Sequence, residues 1–215
     1  MNHHKRVLSI DVGITSLGFC DIIRDSTSYQ IVKWGVLNLL ERVGCEISAQ
    51  KVSVPILIRI LNILLPATFP DAYLYDSIVV EQQNARQSSQ RKCVHISYII
   101  YQYFNFINPH TKLVSANVKF NTHDLPGLSY VQPVFSPLDH TKTRHADKAL
   151  AASTLKKKEY DHRKLYCIDA AECFFTAIRI HHPGNDAFKV NLESKHKKST
   201  SDCADALLLT MSELA

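Results

Sequence analysis

Three strand-like runs crowd the first 37 residues of this chain, and strand-like and helix-like runs alternate after them. Val7 to Val12 alternates tightly, with Leu8, Ile10 and Val12 on one face. Gly13 and Gly18 bracket a turn, Phe19 to Arg24 reads as a second strand, and Tyr29 to Leu37, β-branched and aromatic, as a third. This opening predicts an antiparallel meander. Pro55 suits the first turn of a helix running to about Leu65, where Pro66 is expected to stop it. Asp76 to Glu81 reads as a short buried strand, Ser88 to Ile107 as a helix, and Lys112 to Val118 as a fifth strand. The succession predicts an α/β fold with a mixed five-stranded sheet flanked by helices.

From Asn121 to about His145 the periodicity is lost, and Pro126, Pro133 and Pro137 mark an irregular loop. Ala146 to Tyr160 and Arg163 to Ile180 read as helices, and Pro183-Gly184 ends the second. A last helix is expected from about Ser201 to Leu214. With no internal repeat and no linker, the 215 residues predict a single domain (1–215).

The longest apolar stretch, Val52 to Leu65, carries Ser53, Arg59 and Asn62 and falls short of a membrane span. No signal-peptide core follows Met-Asn-His-His-Lys-Arg. The six cysteines form no CxxC pair, which argues against a zinc site or disulfide scaffold and for a reducing, intracellular compartment. Positive charge is concentrated between His140 and Lys164, where eight basic residues, Lys156, Lys157 and Lys158 among them, face three acids. That concentration suits a polyanionic partner, and a solvated helix face accounts for it equally well.

The acids are more specific. Asp11 ends an apolar strand, Glu81 ends Ile-Val-Val-Glu in the same manner, and Asp202 and Asp205 stand three apart near the start of the last helix. That spacing puts both on nearly one helical face. Each has a plain alternative: a turn aspartate, a surface glutamate, a pair serving the helix cap and dipole. Together they form a set of carboxylates that repel one another unless cations neutralise them. Phosphodiester hydrolysis by two divalent ions about 3.5–4 Å apart calls for such a set. Oxygen ligands without His or Cys suit magnesium.

At these residues the chain resembles a known family. Ser-Ile-Asp11-Val-Gly13 with Gly18-Phe, then Ile-Val-Val-Glu81-Gln, then Asn-Val-Lys119, then Ser-Asp202-Cys-Ala-Asp205-Ala-Leu is similar to RuvC-type Holliday junction resolvases of the RNase H-like fold. The resemblance covers essentially the whole chain and looks closest to the branch of poxviruses and other large DNA viruses, with mitochondrial fungal resolvases more distant. Glu81-Gln-Gln83-Asn-Ala-Arg86 is similar to the Glu-x-Gln-x-x-Arg run of the fungal group.

The resemblance implies a homodimer that places symmetric nicks across a four-way DNA junction, leaving 5′-phosphate and 3′-hydroxyl ends. It implies two Mg2+ ions per site, with Mn2+ able to substitute. Asp11, Glu81, Asp202 and Asp205 become metal ligands, and Lys119 a catalytic cation near the scissile phosphate. Gly13 would leave room for substrate backbone beside Asp11, and a simple turn glycine is equally compatible. Gln83, Arg86, Lys195, Lys197, Lys198 and Lys156 to Lys158 are the expected DNA contacts, and the aromatic residues of the Ser88–Ile107 helix (Tyr98, Tyr101, Tyr103, Phe104 and Phe106) are core first and dimer contact second. The stretch 121–164 is longer than the family pattern and reads as a basic, partly irregular insertion. The setting implied is DNA recombination, repair and concatemer resolution, at the site of viral replication, cytoplasmic or nuclear, if the chain is viral. Two alternatives stay open: an RNase H-like nuclease acting on RNA-containing strands, and a non-catalytic branched-DNA binding module.

Overall fold

The computed structural model describes residues 4–25, 28–41, 44, 48–83, 91–120, 161, 164, 166–172, 174 and 197–214, the side chains at 119, 120 and 197–201 excepted. Five strands form one sheet: β1 (Lys5–Asp11), β2 (Leu17–Arg24), β3 (Tyr29–Leu37), β4 (Ser77–Gln82) and β5 (Thr111–Ser115). Their order across the sheet is β3-β2-β1-β4-β5. The first three make the expected meander, with Asp11 opposite Gly18 and Leu17 opposite Leu37. β4 then runs parallel to β1, and β5 parallel to β4, so the sheet is mixed.

The centre of the sheet is covered on both faces, which is why β4 is a continuous apolar run rather than an alternating one. Leu8, Ile10, Ile78 and Val80 pack with Leu57, Leu61, Ile100 and Phe104 from two helices, α1 (Val54–Thr68) and α2 (Arg91–Ile107). On the opposite face, Val7, Cys20, Ile22 and Val79 pack with Ala204, Leu207 and Leu208 of the C-terminal helix (Lys197–Leu214). Tyr166, Cys167, Ala170, Ala171 and Phe174, from helical residues within 161–174, complete that second core. No helix among the described residues is long and apolar enough to cross a membrane.

Polar pins fix the register of the C-terminal helix. Ser9 Oγ donates to the Ala206 carbonyl at 2.5 Å, and Trp34 Nε1 donates to the Cys203 carbonyl at 2.7 Å. Gly18 allows the approach itself. A Cβ there would lie 2.3 Å from the Asp202 carbonyl oxygen, so only a residue without a side chain lets the helix sit this low on the sheet. On the other face Asp21, fully buried in β2, receives the Arg6 guanidinium at 3.1 and 2.7 Å and the Tyr75 hydroxyl at 2.9 Å. Burial first, and then the charge of Asp21, raises the Tyr75 hydroxyl well above its ordinary pKa and keeps it a donor.

Several expected boundaries move. α1 continues past Pro66 to Thr68. Pro66 and Asn62 both face solvent, so water can take the carbonyl bond that a proline cannot donate. The fifth strand stops at Ser115, where its partner β4 ends at Gln82, and Ala116–Phe120 coils into a 3-10 turn instead. At Gly13 a Cβ would meet the Ser16 carbonyl at 2.5 Å, so the turn itself requires the glycine. The last helix begins at Lys197, earlier than expected. The expected helix from Ala146 to Tyr160 and the loop before it lie outside the described residues.

Three outcomes follow for urea unfolding. Gly18→Ala destabilises by about 2–3 kcal/mol, because a backbone carbonyl cannot rotate out of the way. Gly35→Ala, whose new Cβ meets only the edge of the Phe19 ring at 3.3 Å, changes stability by under about 1 kcal/mol. Asp21→Asn costs about 2 kcal/mol by weakening its bonds to Arg6 and Tyr75. Equal effects for the two glycines would contradict this account of the helix seat.

Candidate metal centre

Asp11 is the last residue of β1, the middle strand of the sheet. Its alternation with Val7 and Ser9 turns it toward the C-terminal helix rather than toward α1 and α2. Asp202 and Asp205 fall in the second and third turns of that helix, so neither acid serves its N-cap or its first-turn dipole. The plain explanation that the sequence left open for this pair is thereby removed. All three acids are buried, at 5–8% exposure. One carboxylate oxygen from each lies within 4.8 Å of the others, as ligands of a single cation would.

Glu81 takes a different place. The β1–β4 register pairs Ile10 with Val80, and one step further along puts Glu81 beside Asp11 on the same face. Its carboxylate is buried, yet it is not one of the three that converge. Gln83 Nε2 donates to Glu81 Oε1 at 3.1 Å, so the amide expected at DNA is turned onto the acid. Three of the four expected ligands thus gather, with the fourth on the adjoining strand.

Lys164 reaches the cluster from the helical segment on the same face. Its ammonium donates to Asp205 Oδ2 at 2.5 Å and to Asp202 Oδ1 at 3.2 Å. Burial lowers its pKa, but the charges of Asp205, Asp202 and Asp11 outweigh that and leave it raised above the ordinary lysine value. Sequence reasoning counted Lys164 only as part of a basic stretch. The signal was present: Lys164, Cys167, Ile168 and Ala171 follow the i, i+3, i+4, i+7 spacing of a buried face. A lysine on such a face needs an anionic partner.

The donor set fits a hard divalent ion. It is all carboxylate oxygen, and Asp202 Oδ2 is buried without a hydrogen-bond partner among the described residues. Cys203, next to Asp202, does not compete as a ligand. Burial, and after it the charge of Asp202, pushes its thiol up to about 12, so it stays protonated and turned into the core.

Lys119 lies in the 3-10 turn after β5, and Lys197 and Lys198 in the first turn of the C-terminal helix, with side chains outside the described residues. Arg86, Lys156, Lys157, Lys158 and Lys195 lie outside them altogether.

No protein-family model and no curated protein matches the chain. Among solved structures it is similar to the crystal structure of the yeast mitochondrial Holliday junction resolvase Ydc2, with a TM-score of 0.53 and 17% identity over 97% of this chain and 77% of that one. The similar structure is fungal and mitochondrial, the group expected to be more distant, and the likeness does not favour the viral branch. At this identity it establishes the fold alone, an RNase H-like mixed sheet flanked by helices.

Proposed function

We propose that the chain is a metal-dependent endonuclease that resolves four-way DNA junctions by paired nicks. The observation that carries this reading is the convergence of Asp11, Asp202 and Asp205 from opposite ends of the chain, on a fold shared with a junction resolvase. Like-charged groups buried this closely are poor architecture by themselves, and a cation-binding role supplies the reason for them.

In this reading Asp11, Asp202 and Asp205 hold one divalent ion, and Glu81 with Asp11 flanks the position of a second. Bound Mg2+ or Mn2+ would activate the attacking water and steady the leaving oxygen of the phosphodiester. The protein's own share is placement. Gln83 fixes the rotamer of Glu81, Ser9 and Gly18 set the height of the helix that carries two ligands, and the apolar strands keep the acids from turning away. Lys119, in the turn beyond β5, supplies positive charge for the scissile phosphate. Lys195, Lys197, Lys198, Arg86 and Lys156 to Lys158 grip the junction's phosphates.

A junction has two strands to cut, so paired nicks call for two sites. The outer surface of α2 leaves Tyr98 and Phe106 exposed, Phe106 at 92%, which supports a second copy docking there. A viral origin and action at a site of DNA replication belong to the same reading.

The test uses purified protein with a labelled immobile four-way junction, a matching duplex and an RNA–DNA hybrid, with and without Mg2+. We expect symmetric nicks in opposing strands of the junction alone, and only with metal. Comparable cutting of the hybrid indicates an RNA-directed nuclease instead. Junction binding without cutting under any metal indicates a binding module. Asp202→Asn is expected to reduce cutting by more than roughly a hundredfold while leaving junction affinity in gel-shift assays unchanged. Parallel loss of affinity and cutting would assign Asp202 to the fold rather than to the chemistry.

A further inference from the structure

Lys164 has no place in the proposed machinery, yet its ammonium sits on two of the three converging carboxylates. An ammonium and a divalent ion compete for Asp205 Oδ2 and Asp202 Oδ1, because both draw on the same oxygens and the two cations repel. The lysine stem is long and flexible, and its side chain is 23% exposed, so it can leave without the helix unpacking. Tyr166, Cys167, Ala170, Ala171 and Phe174 of that segment are buried in the core and hold it where it is.

We infer that Lys164 is a built-in counter-ion of the acid cluster, which a divalent ion must displace before the site can load. The inference rests on the reading of Asp11, Asp202 and Asp205 as a cation site, and adds that metal affinity is set by competition as well as by the ligands. Lys164 would hold the acids together at low metal, where their mutual repulsion would otherwise push the C-terminal helix off the sheet. It would also raise the metal concentration needed for cutting. A ligand binding a protein whose competent state is only partly populated loses affinity by that fraction.

The test is Mn2+ binding, followed by the electron paramagnetic resonance signal of free Mn2+, with thermal unfolding run beside it. We expect Lys164→Met to bind Mn2+ roughly tenfold more tightly than wild type and to unfold at a lower temperature without metal. Added Mn2+ should raise its midpoint more than it raises the wild-type midpoint. Lys164→Arg, which keeps the charge, should bind no more tightly than wild type. Equal or weaker Mn2+ binding by folded Lys164→Met overturns the inference. Where Lys164→Met does not fold, Lys164→Gln takes its place. Folding of either variant only with Mn2+ present supports the counter-ion role, and failure of both even with Mn2+ overturns it in favour of a structural ion pair. Asp202→Asn separates the two levels. Mn2+ binding by wild type that this variant loses establishes the cation site whatever Lys164 does, whereas absence of binding to wild type removes the site itself.

Discussion

Three carboxylates with one oxygen of each within 4.8 Å of the others, each nearly cut off from solvent, repel when ionised by roughly 3 kcal/mol per pair at an effective dielectric constant of about 20. The rest of the molecule is arranged to withstand that repulsion. Asp11 cannot retreat, because it closes a strand hydrogen-bonded on both sides. Asp202 and Asp205 cannot retreat without lifting a helix whose apolar face fills one of the two cores. Apolar burial of that extent, at about 25 cal/mol per Å2, opposes the repulsion together with the Lys164 ammonium on two of the three acids.

Burial alone would allow the helix to slide, and the polar contacts prevent it. Ser9, Trp34 and Thr210 each engage a specific carbonyl or hydroxyl across the helix–sheet contact. At the far end Glu213 accepts from Ser77 and Lys112. Slipping by one residue would break all of these at once. Gly18 sets the distance, and the pins set the register. The result is a rigid support for acids whose own interactions are unfavourable, the usual arrangement where a strained site is retained for chemistry.

Most of this frame was legible in the sequence. The strands β1 to β4 announced themselves because central strands in a mixed sheet are apolar and the meander needs tight turns at predictable residues. The four acids were legible as candidates because two end apolar strands and two stand three apart near the start of the last helix. What escaped was whatever depends on contacts between distant segments. Pro66 reads locally as a stop, yet tolerance of it depends on which face meets water. Lys112 to Val118 has the composition of a strand throughout, but a strand ends where its neighbour does. The last helix starts at Lys197 because an apolar face several turns long carries its polar beginning along. Asp21 reads as a blemish in β2 until Arg6 and Tyr75 are brought to it.

Lys164 shows why charge counted along a sequence differs from charge placed in space. Eight basic residues in one stretch suggest a surface for a polyanion. Among the described residues, Lys164 points inward, to acids 38 and 41 residues away. Both acids at the ends of parallel strands, Asp11 on β1 and Glu81 on β4, lie at the carboxyl edge of the sheet, where open α/β folds place their ligands. The C-terminal helix brings its pair over that edge, and Lys164 comes from the same side as the helix. A phosphate approaching this edge would therefore meet acids partly neutralised by the protein itself. If the acids load a metal and the substrate is DNA, as proposed, the lysine that would oppose metal loading would also reduce the repulsion an anionic substrate feels from an unloaded site, and the two would need no fixed order of arrival.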